Sequence, residues 1–397
     1  MAFTVARRDC VAVAGAALAA LTAAGLVGAA PASAAYRGAN GVIAFTSARG
    51  GSSQIYLRAA DGSEKQLTSN VGGANAPTFS PDGSRMAYSA GSDIWVMRAD
   101  GTHKVNLTRN AKNNADPTWS PDGTKIAFIS TRDVISGEIY SIPAGGGTPH
   151  RITHNGMTER NLSWAPTGTR IAFDAAGNGA TPNSQIYVAA VSNGAVTNLS
   201  KNTYNDGSPD YSPDGTRIVF TSDRQAGGNL WLMNADGSVP TSVGTPSPYV
   251  GPVGPAWSAD GSQIVTGANE GMGSLQLWSI DPGTGAPTRL TSDAGQPANA
   301  NASVQPLHTP ALVLGASAGA GGSALSVSGT DFLSMQTVKL SFRDAKKHTF
   351  ALGSAKTDIN GAFTKSVKVP ATAAKGAGLI IATGVGGLTK SVSFTKS

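Results

Sequence analysis

Five near-copies of one short phrase constrain this chain more than any other feature. They are Phe79-Ser80-Pro81-Asp82-Gly83, Trp119-Ser120-Pro121-Asp122-Gly123, Trp164-Ala165-Pro166-Thr167-Gly168, Tyr211-Ser212-Pro213-Asp214-Gly215 and Trp257-Ser258-Ala259-Asp260-Gly261. Counted from the second residue of each copy, the steps are 40, 45, 47 and 46 residues. Such a period, with strand and turn residues inside it, marks a radial or stacked repeat. Proline presets φ, aspartate bonds its own backbone and glycine takes positive φ, so the phrase is a tight turn.

Alternating apolar runs follow each turn, as in Lys125-Ile126-Ala127-Phe128 and Arg217-Ile218-Val219-Phe220. Period two with β-branched and aromatic residues predicts a strand. A third run comes next, such as Glu138-Ile139-Tyr140 or Asn229-Leu230-Trp231, and most units close on Leu-Thr or an equivalent (Leu67-Thr68, Leu107-Thr108, Ile152-Thr153). Four short antiparallel strands, a to d, make a propeller blade. The first strand-b run, Val42-Ile43-Ala44-Phe45, has no strand a before it, and Asn299 to Val304 follows the last strand d. Ser303 lies 45 residues after Ser258, where the next strand a is due, though the closing copy has lost the turn phrase. The expected fold is all-β: a six-bladed propeller over residues 35–307, closed by a blade shared between both ends, then a small β-sandwich over 308–397. Sharing one blade removes two open sheet edges.

The turn phrase, Ile-Ala-Phe after it, Ile-Tyr or Leu-Trp in strand c and the terminal Leu-Thr resemble the TolB-like family of six-bladed, WD-repeat-like propellers, from about residue 40 to 307. Copy three departs from the pattern at Ala165 and Thr167. The resemblance implies protein–protein interaction at the cell envelope, with a protein or peptide partner meeting the variable loops. Ser328 to Phe332 and Asp358 to Phe363 resemble immunoglobulin-like modules of bacterial surface proteins.

Residues 1–34 have the pattern of a secretory signal: Arg7-Arg8, an Ala/Leu/Val core, and Ala32-Ser33-Ala34 before the cut. A membrane anchor is the alternative, and Arg7-Arg8 leaves a twin-arginine route open. The expected location is extracellular or envelope-associated. Cys10 is the only cysteine, so a chain cut after residue 34 has no disulfide, zinc-thiolate site or thiol nucleophile. Residues 35–307 hold 18 Lys/Arg against 20 Asp/Glu, and residues 308–397 hold 10 against 3. The basic C-terminal module could meet an anionic cell-wall polymer. Its scattered lysines lack interleaved aromatics, which argues against nucleic acid.

Catalytic motifs are sparse. Gly315-Ala316-Ser317-Ala318-Gly319 has the string of a serine-hydrolase elbow but not its strand–turn–helix setting, and reads as a linker. His150 and His154 stand too far apart along a strand to share a metal, so neither a metal nor a cofactor is expected. The turn aspartates belong to their turns and the six tryptophans to packing between blades.

Function is therefore sought where the copies differ. The a–b and c–d turns are alike, whereas the b–c and d–a loops vary and share one face, where binding sites concentrate. Four places before each turn phrase stand Ala76, Asp116, Asn161, Ser208, Gly254 and, by extension, Asn299, expected around the central channel. The candidate binding set is Asp116, Glu159, Arg160, Asp206, Arg132, Arg224 and Glu270, with Asp223-Arg224 expected as an ion pair inside one blade. The leading expectation is a secreted, non-enzymatic binding protein. The alternative is a lyase or hydrolase on a polysaccharide or peptide, with Asp116 and Glu159 as acid and base, which needs the two carboxyls close together.

Overall fold

The computed structural model describes residues 39–109, 112–176, 183–225, 229–243, 249–270, 275–291, 299–308, 311–330, 332, 337–358, 362–384 and 389–397. The expected signal segment, the side chain of Glu270 and the side chain of Asn299 lie outside the described residues. Among the described residues no helix is long and apolar enough to cross a membrane.

Six four-stranded antiparallel sheets form the propeller. Blade 2 is Ala74–Phe79, Arg85–Ala90, Asp93–Arg98 and Val105–Asn106. Blade 3 is Asn114–Trp119, Lys125–Ser130, Glu138–Pro143 and His150–Arg151. Blade 4 is Thr158–Trp164, Arg170–Ala176, Ser184–Ala190 and Val196–Asn198. Blade 5 is Asp206–Tyr211, Arg217–Ser222, Asn229–Asn234 and Thr241–Ser242. Its short fourth strand, which no Leu-Thr announces in the sequence, carries buried Val243 in the leucine position. Blade 6 is Tyr249–Trp257, Ile264–Glu270, Leu275–Ile280 and Pro287–Arg289.

Blade 1 is shared between the two ends of the ring, as expected. Its strand a, Asn299–Leu307, pairs antiparallel with Ala39–Ser47, followed by Gln54–Arg58 and Glu64–Gln66. The register corrects one detail. The turn-phrase position in this blade is Gln305, 47 residues after Ser258, rather than Ser303. Asn301, not Asn299, takes the left-handed backbone seen at Ala76, Asp116, Asn161, Ser208 and Gly254. A side chain at Gly41 would meet Gln305 at 2.7 Å, so glycine is what lets the closing strand approach.

The turn phrase works within and between blades. Asp122 Oδ1 accepts from Ser120 Oγ at 2.6 Å and from the Thr124 N–H at 3.0 Å, and the Ser120 hydroxyl accepts the Lys125 N–H. Asp82, Asp214 and Asp260 repeat this arrangement. The turn at Ala165 and Thr167 lacks the serine and aspartate bonds; there the Thr167 hydroxyl pairs with that of Thr169 at 2.8 Å and takes the Thr169 N–H at 3.5 Å. The turn glycine of one blade also faces the proline of the blade before it. A Cβ on Gly168 or Gly215 would lie 3.5 Å from Pro121 or Pro166, and one on Gly83 would lie 2.2 Å from the Pro306 carbonyl oxygen.

The terminal Leu-Thr has a physical reason too. The hydroxyl of Thr68, Thr108, Thr153, Ser200 or Thr291 accepts the N–H of Ile55, Ile94, Ile139, Ile186 or Leu277 near the start of strand c, at 2.8 to 3.0 Å. Thr68, Thr108, Ser200 and Thr291 pass their own proton to the residue just before it, Gln54, Asp93, Gln185 or Gln276. The apolar cores lie between blades. Ala87, Ile94 and Val96 of blade 2 pack on Trp119, Ile126 and Phe128 of blade 3.

The C-terminal segment forms two sheets over one core, a β-sandwich. One sheet is Ala311–Leu314, Ala324–Thr330 and Phe363–Lys368, and the other runs Ala318–Gly319, Thr389–Lys396, Gly376–Thr383, Thr337–Arg343 and Thr349–Lys356. Val327, Leu340, Phe342, Ile380 and Phe394 fill the space between them. Ala318–Gly319, inside the stretch read as a linker, is a short strand parallel to Thr395 and Lys396. Of the expected strand at 357–363, residues 359–361 lie outside the described residues, Asp358 Oδ1 takes the Ala362 N–H at 2.9 Å, and Phe363 begins the strand Phe363–Lys368.

Candidate functional site

Strand a of every blade lines a central channel. It holds a cavity of about 190 Å³ whose wall includes Asp116 and Asp210 but no lysine, arginine or histidine. The six left-handed residues sit at the bulges of strand a, at the channel mouth: Ala76, Asp116, Asn161, Ser208, Gly254 and Asn301. A bulge re-aims a strand end and leaves one residue outside the ladder. At Gly254 an added Cβ would stand 2.6 Å from Asn301 Oδ1, so this member of the ring admits only glycine.

Hydrogen bonds run around the ring at two levels. At the mouth, Asp116 Oδ2 accepts the Asn161 N–H of the next blade at 3.0 Å. Asp174 Oδ1 accepts Asn161 Nδ2 at 2.7 Å and the Ser208 N–H at 2.9 Å. Below it, Thr118 Oγ1 accepts from Trp164 N, Ser163 Oγ from Tyr211 N, Asp210 Oδ2 from Trp257 N, and Ser303 Oγ from Phe79 N. Asp210 thus stands where its counterparts are hydroxyls. Burial pushes its carboxyl up to about 6, against the bonds from Trp257, Ser163 and Tyr211. Burial also raises Asp116 and Asp174; Arg160 is the cation whose charge reaches Asp116.

The candidate residues divide. Asp116 lies at the mouth, as expected, with exposed Arg160 beside it on the next blade. Glu159 is 2% exposed and bonds Asn155 Nδ2 at 2.7 Å and Thr153 Oγ1 at 3.0 Å. The charged neighbour acting on it is Glu138, not Asp116. Asp206 and Arg224 form a buried ion pair at 2.9 Å, which corrects the expected Asp223–Arg224 pair. Asp223 instead accepts the N–H and Nδ2 of Asn205, at 2.8 and 2.7 Å.

Arg132 and Arg224 stack on aromatic side chains of their own blades. The Arg132 guanidinium lies 4.7 Å from the ring centre of Tyr140 and that of Arg224 4.9 Å from Trp231, and Arg49 stacks likewise 4.5 Å from Tyr56. Such stacks are favourable when partly desolvated. The sequence signal was present as Phe-x-Ser-x-Arg, at Phe45, Phe128 and Phe220.

Buried Glu138 and Asp174 and half-buried Asp210 in the channel wall escape motif reading. Each breaks a local rule. Asp174 interrupts an apolar strand after Phe173, Asp210 replaces a hydroxyl, and Glu138 fills a position held by glutamine in three blades.

The variable-loop face also carries exposed apolar side chains. Val71 on a d–a loop and Ile135 on a b–c loop are almost wholly exposed, and Tyr204 on another d–a loop is 45% exposed.

Comparison with known proteins matches residues 43–181 and 163–306 to the TolB beta propeller domain. The structure of a putative TolB from Agrobacterium tumefaciens is similar, with 23% identity and a TM-score of 0.55, over 67% of this chain and 94% of that one. TolB from Acinetobacter baumannii aligns at 19% identity and a TM-score of 0.56, over 67% of each chain. Hydrazine synthase from Kuenenia stuttgartiensis aligns at 12% identity and 0.57, over 92% of this chain and 68% of that one, a likeness of fold alone.

Proposed function

The chain belongs to the TolB β-propeller family, and on that premise we propose that it is a binding protein without catalytic activity, which meets a protein or peptide partner through its b–c and d–a loops outside the cytoplasm. The observation that carries this reading is the make-up of that face. Val71, Ile135 and Tyr204 are exposed on d–a and b–c loops, at the same end of the blades as the bulged strand-a residues that include Asp116. Exposed apolar side chains beside polar ones on a fixed scaffold suit a partner's surface better than a small substrate. The acid–base alternative finds less support. Asp116 takes the Asn161 N–H while Glu159 serves Thr153 and Asn155, so the two carboxyls have separate partners and separate charged neighbours.

Export rests on the signal-like residues 1–34. A cell-wall polymer as ligand of the C-terminal module rests on its ten cationic residues against three acids. The test is site-specific photo-crosslinking in the source cells' envelope, with the crosslinker at positions 71, 135 and 204 and, as control, at Asp100 on a c–d turn. Adducts from the first three positions and none from the control are expected. Adducts from the control alone would place the partner on the other face.

A further inference from the structure

One blade junction differs from the other five in its proton count. Two positions of the repeat bear on this: the residue just before the strand-c N–H that the terminal hydroxyl accepts, and the residue two before the left-handed position of the next blade's strand a. In chain order these pairs are Gln54 with Ala74, Asp93 with Asn114, Glu138 with Glu159, Gln185 with Asp206, Asn229 with Pro252, and Gln276 with Asn299. Only the junction of blades 3 and 4 carries two carboxyls. The Thr153 hydroxyl between them accepts the Ile139 N–H at 2.8 Å and has a single proton to donate. Glu159 Oε2 lies 3.0 Å from it, and Glu138 also bonds it. One hydroxyl proton cannot serve two carboxylates.

The remaining charges do not make up the deficit. Arg151 on strand d reaches Glu138 at 3.1 Å. His154 on the loop and Arg160 on blade 4 are exposed, and Ala175 is the strand-b residue opposite Glu159. We propose that Glu138, Thr153 and Glu159 form a proton-binding site that sets the conformation of the 153–157 loop on the variable-loop face. With the proton bound, every acceptor in the cluster is served. With the proton lost, two buried like charges face each other across one hydroxyl.

The loop hangs on both carboxyls. Glu138 accepts the N–H of Gly156 at 2.8 Å and of Asn155 at 3.3 Å, while Glu159 accepts Asn155 Nδ2 at 2.7 Å. Asn155 Oδ1 in turn takes the Met157 N–H. Repulsion between the acids therefore acts on a loop held at both of its polar ends. The electrostatics agree with this division. Burial raises Glu159 to about 7. Burial also opposes ionisation of Glu138, but the N–H groups of Gly156 and Asn155, the Thr153 hydroxyl and Arg151 outweigh it and hold that carboxyl below the usual range. The inference stands apart from the partner reading, because the site binds its proton whether or not anything docks on the loop.

Carbon-13 NMR of glutamate side chains in the full chain tests it. Glu159 is expected to titrate near neutrality, the amide signals of residues 155–157 to move with the same midpoint, and Glu138→Gln to lower that midpoint by a unit or more. A Glu159 midpoint in the ordinary glutamate range, or one that Glu138→Gln leaves in place, would overturn the proposal. Static loop amides would overturn its conformational half. Unfolding gives a second readout. Between pH 5 and 7 the folded state holds a proton that the unfolded chain has lost, so wild type should lose stability by up to tenfold in equilibrium constant per pH unit relative to Glu159→Gln. Parallel pH profiles for the two proteins would count against the site even if the loop signals shift.

Discussion

The two ends of the propeller are built by different rules. At the end of the a–b turns, one phrase repeats, and each copy bonds itself and packs a glycine against the preceding blade's proline. At the other end Leu-Thr and Phe-x-Ser-x-Arg recur, but the b–c and d–a loops they border differ in length and sequence. There the bulged residues Asp116, Asn161 and Ser208 accept or donate across blades, and acids appear singly at buried Asp174 and Asp206 and half-buried Asp210. The lesson is that closure of the ring and variation of its face are assigned to opposite ends of the same strands. A change at the turn end should alter stability alone, whereas a change at the mouth couples stability to charge.

The largest effect is expected at the mouth. Arg224→Met keeps the stack on Phe220 and Trp231 but leaves Asp206 buried with Asn202 Nδ2 as its remaining partner. A cost of about 3–5 kcal/mol in denaturant unfolding is expected, since an uncompensated buried charge is expensive. A cost under about 1 kcal/mol would mean that the pair is a surface one in effect.

Next comes the turn end. Gly83→Ala at φ +67° places a methyl group 2.2 Å from the Pro306 carbonyl oxygen. A loss of about 2–4 kcal/mol is expected. Because Pro306 belongs to the closing strand, this variant should lose more than Gly123→Ala, where the nearest atom is 3.9 Å away. Equal losses would break the claim that the closing blade is the tightest turn contact.

Asp210 sharpens the coupling to charge. Its folded value of about 6 exceeds the ordinary aspartate value, so the folded state binds the extra proton and stability falls as pH rises from about 4 to about 6. Asp210→Ser restores the hydroxyl found at Ser163 and should remove that pH dependence, on the order of 2 kcal/mol. Thermal unfolding across pH 4–7 reads it out, and an unchanged profile would move the titration elsewhere. The smallest change belongs to the turn end. Asp122→Ala should cost about 0.5–2 kcal/mol in denaturant unfolding, with no change in partner binding.

The sequence made the turn end legible because its constraints are local. Proline, aspartate and glycine act within four residues of one another, so spacing alone exposes them. Blade closure was legible by counting, to within the two residues that separate Ser303 from Gln305. In blade 1 the phrase has become Gln305-Pro306-Leu307-His308, and without its aspartate and glycine the position could be fixed only from the bulge at Asn301. The mouth was legible in part. Counting back four residues found five of the six left-handed positions, since the bulge lies at a fixed distance from the turn. It could not show that Glu159 shares the Thr153 hydroxyl with Glu138, or that Arg224 reaches back to Asp206 rather than to its neighbour Asp223. Those choices depend on side chains well apart in sequence: Asp206 is 18 residues before Arg224 in the same blade, and Glu159 is 21 after Glu138 in the next. In the sandwich, Thr349–Lys356 was missed because Gly353 breaks its alternation where the strand bulges.

The register of the closing pair has a mechanical consequence. Ala39 faces Leu307 and Ser47 faces Asn299, so the polypeptide enters and leaves the ring at the same end of one antiparallel ladder. A pull that separates the two exits loads the ladder like a zipper, rupturing one pair at a time, and not as a bolt in which all pairs share the load. The ring can then be sturdy against heat and denaturant, which must expose whole interfaces between blades, and still part under modest tension applied at its seam.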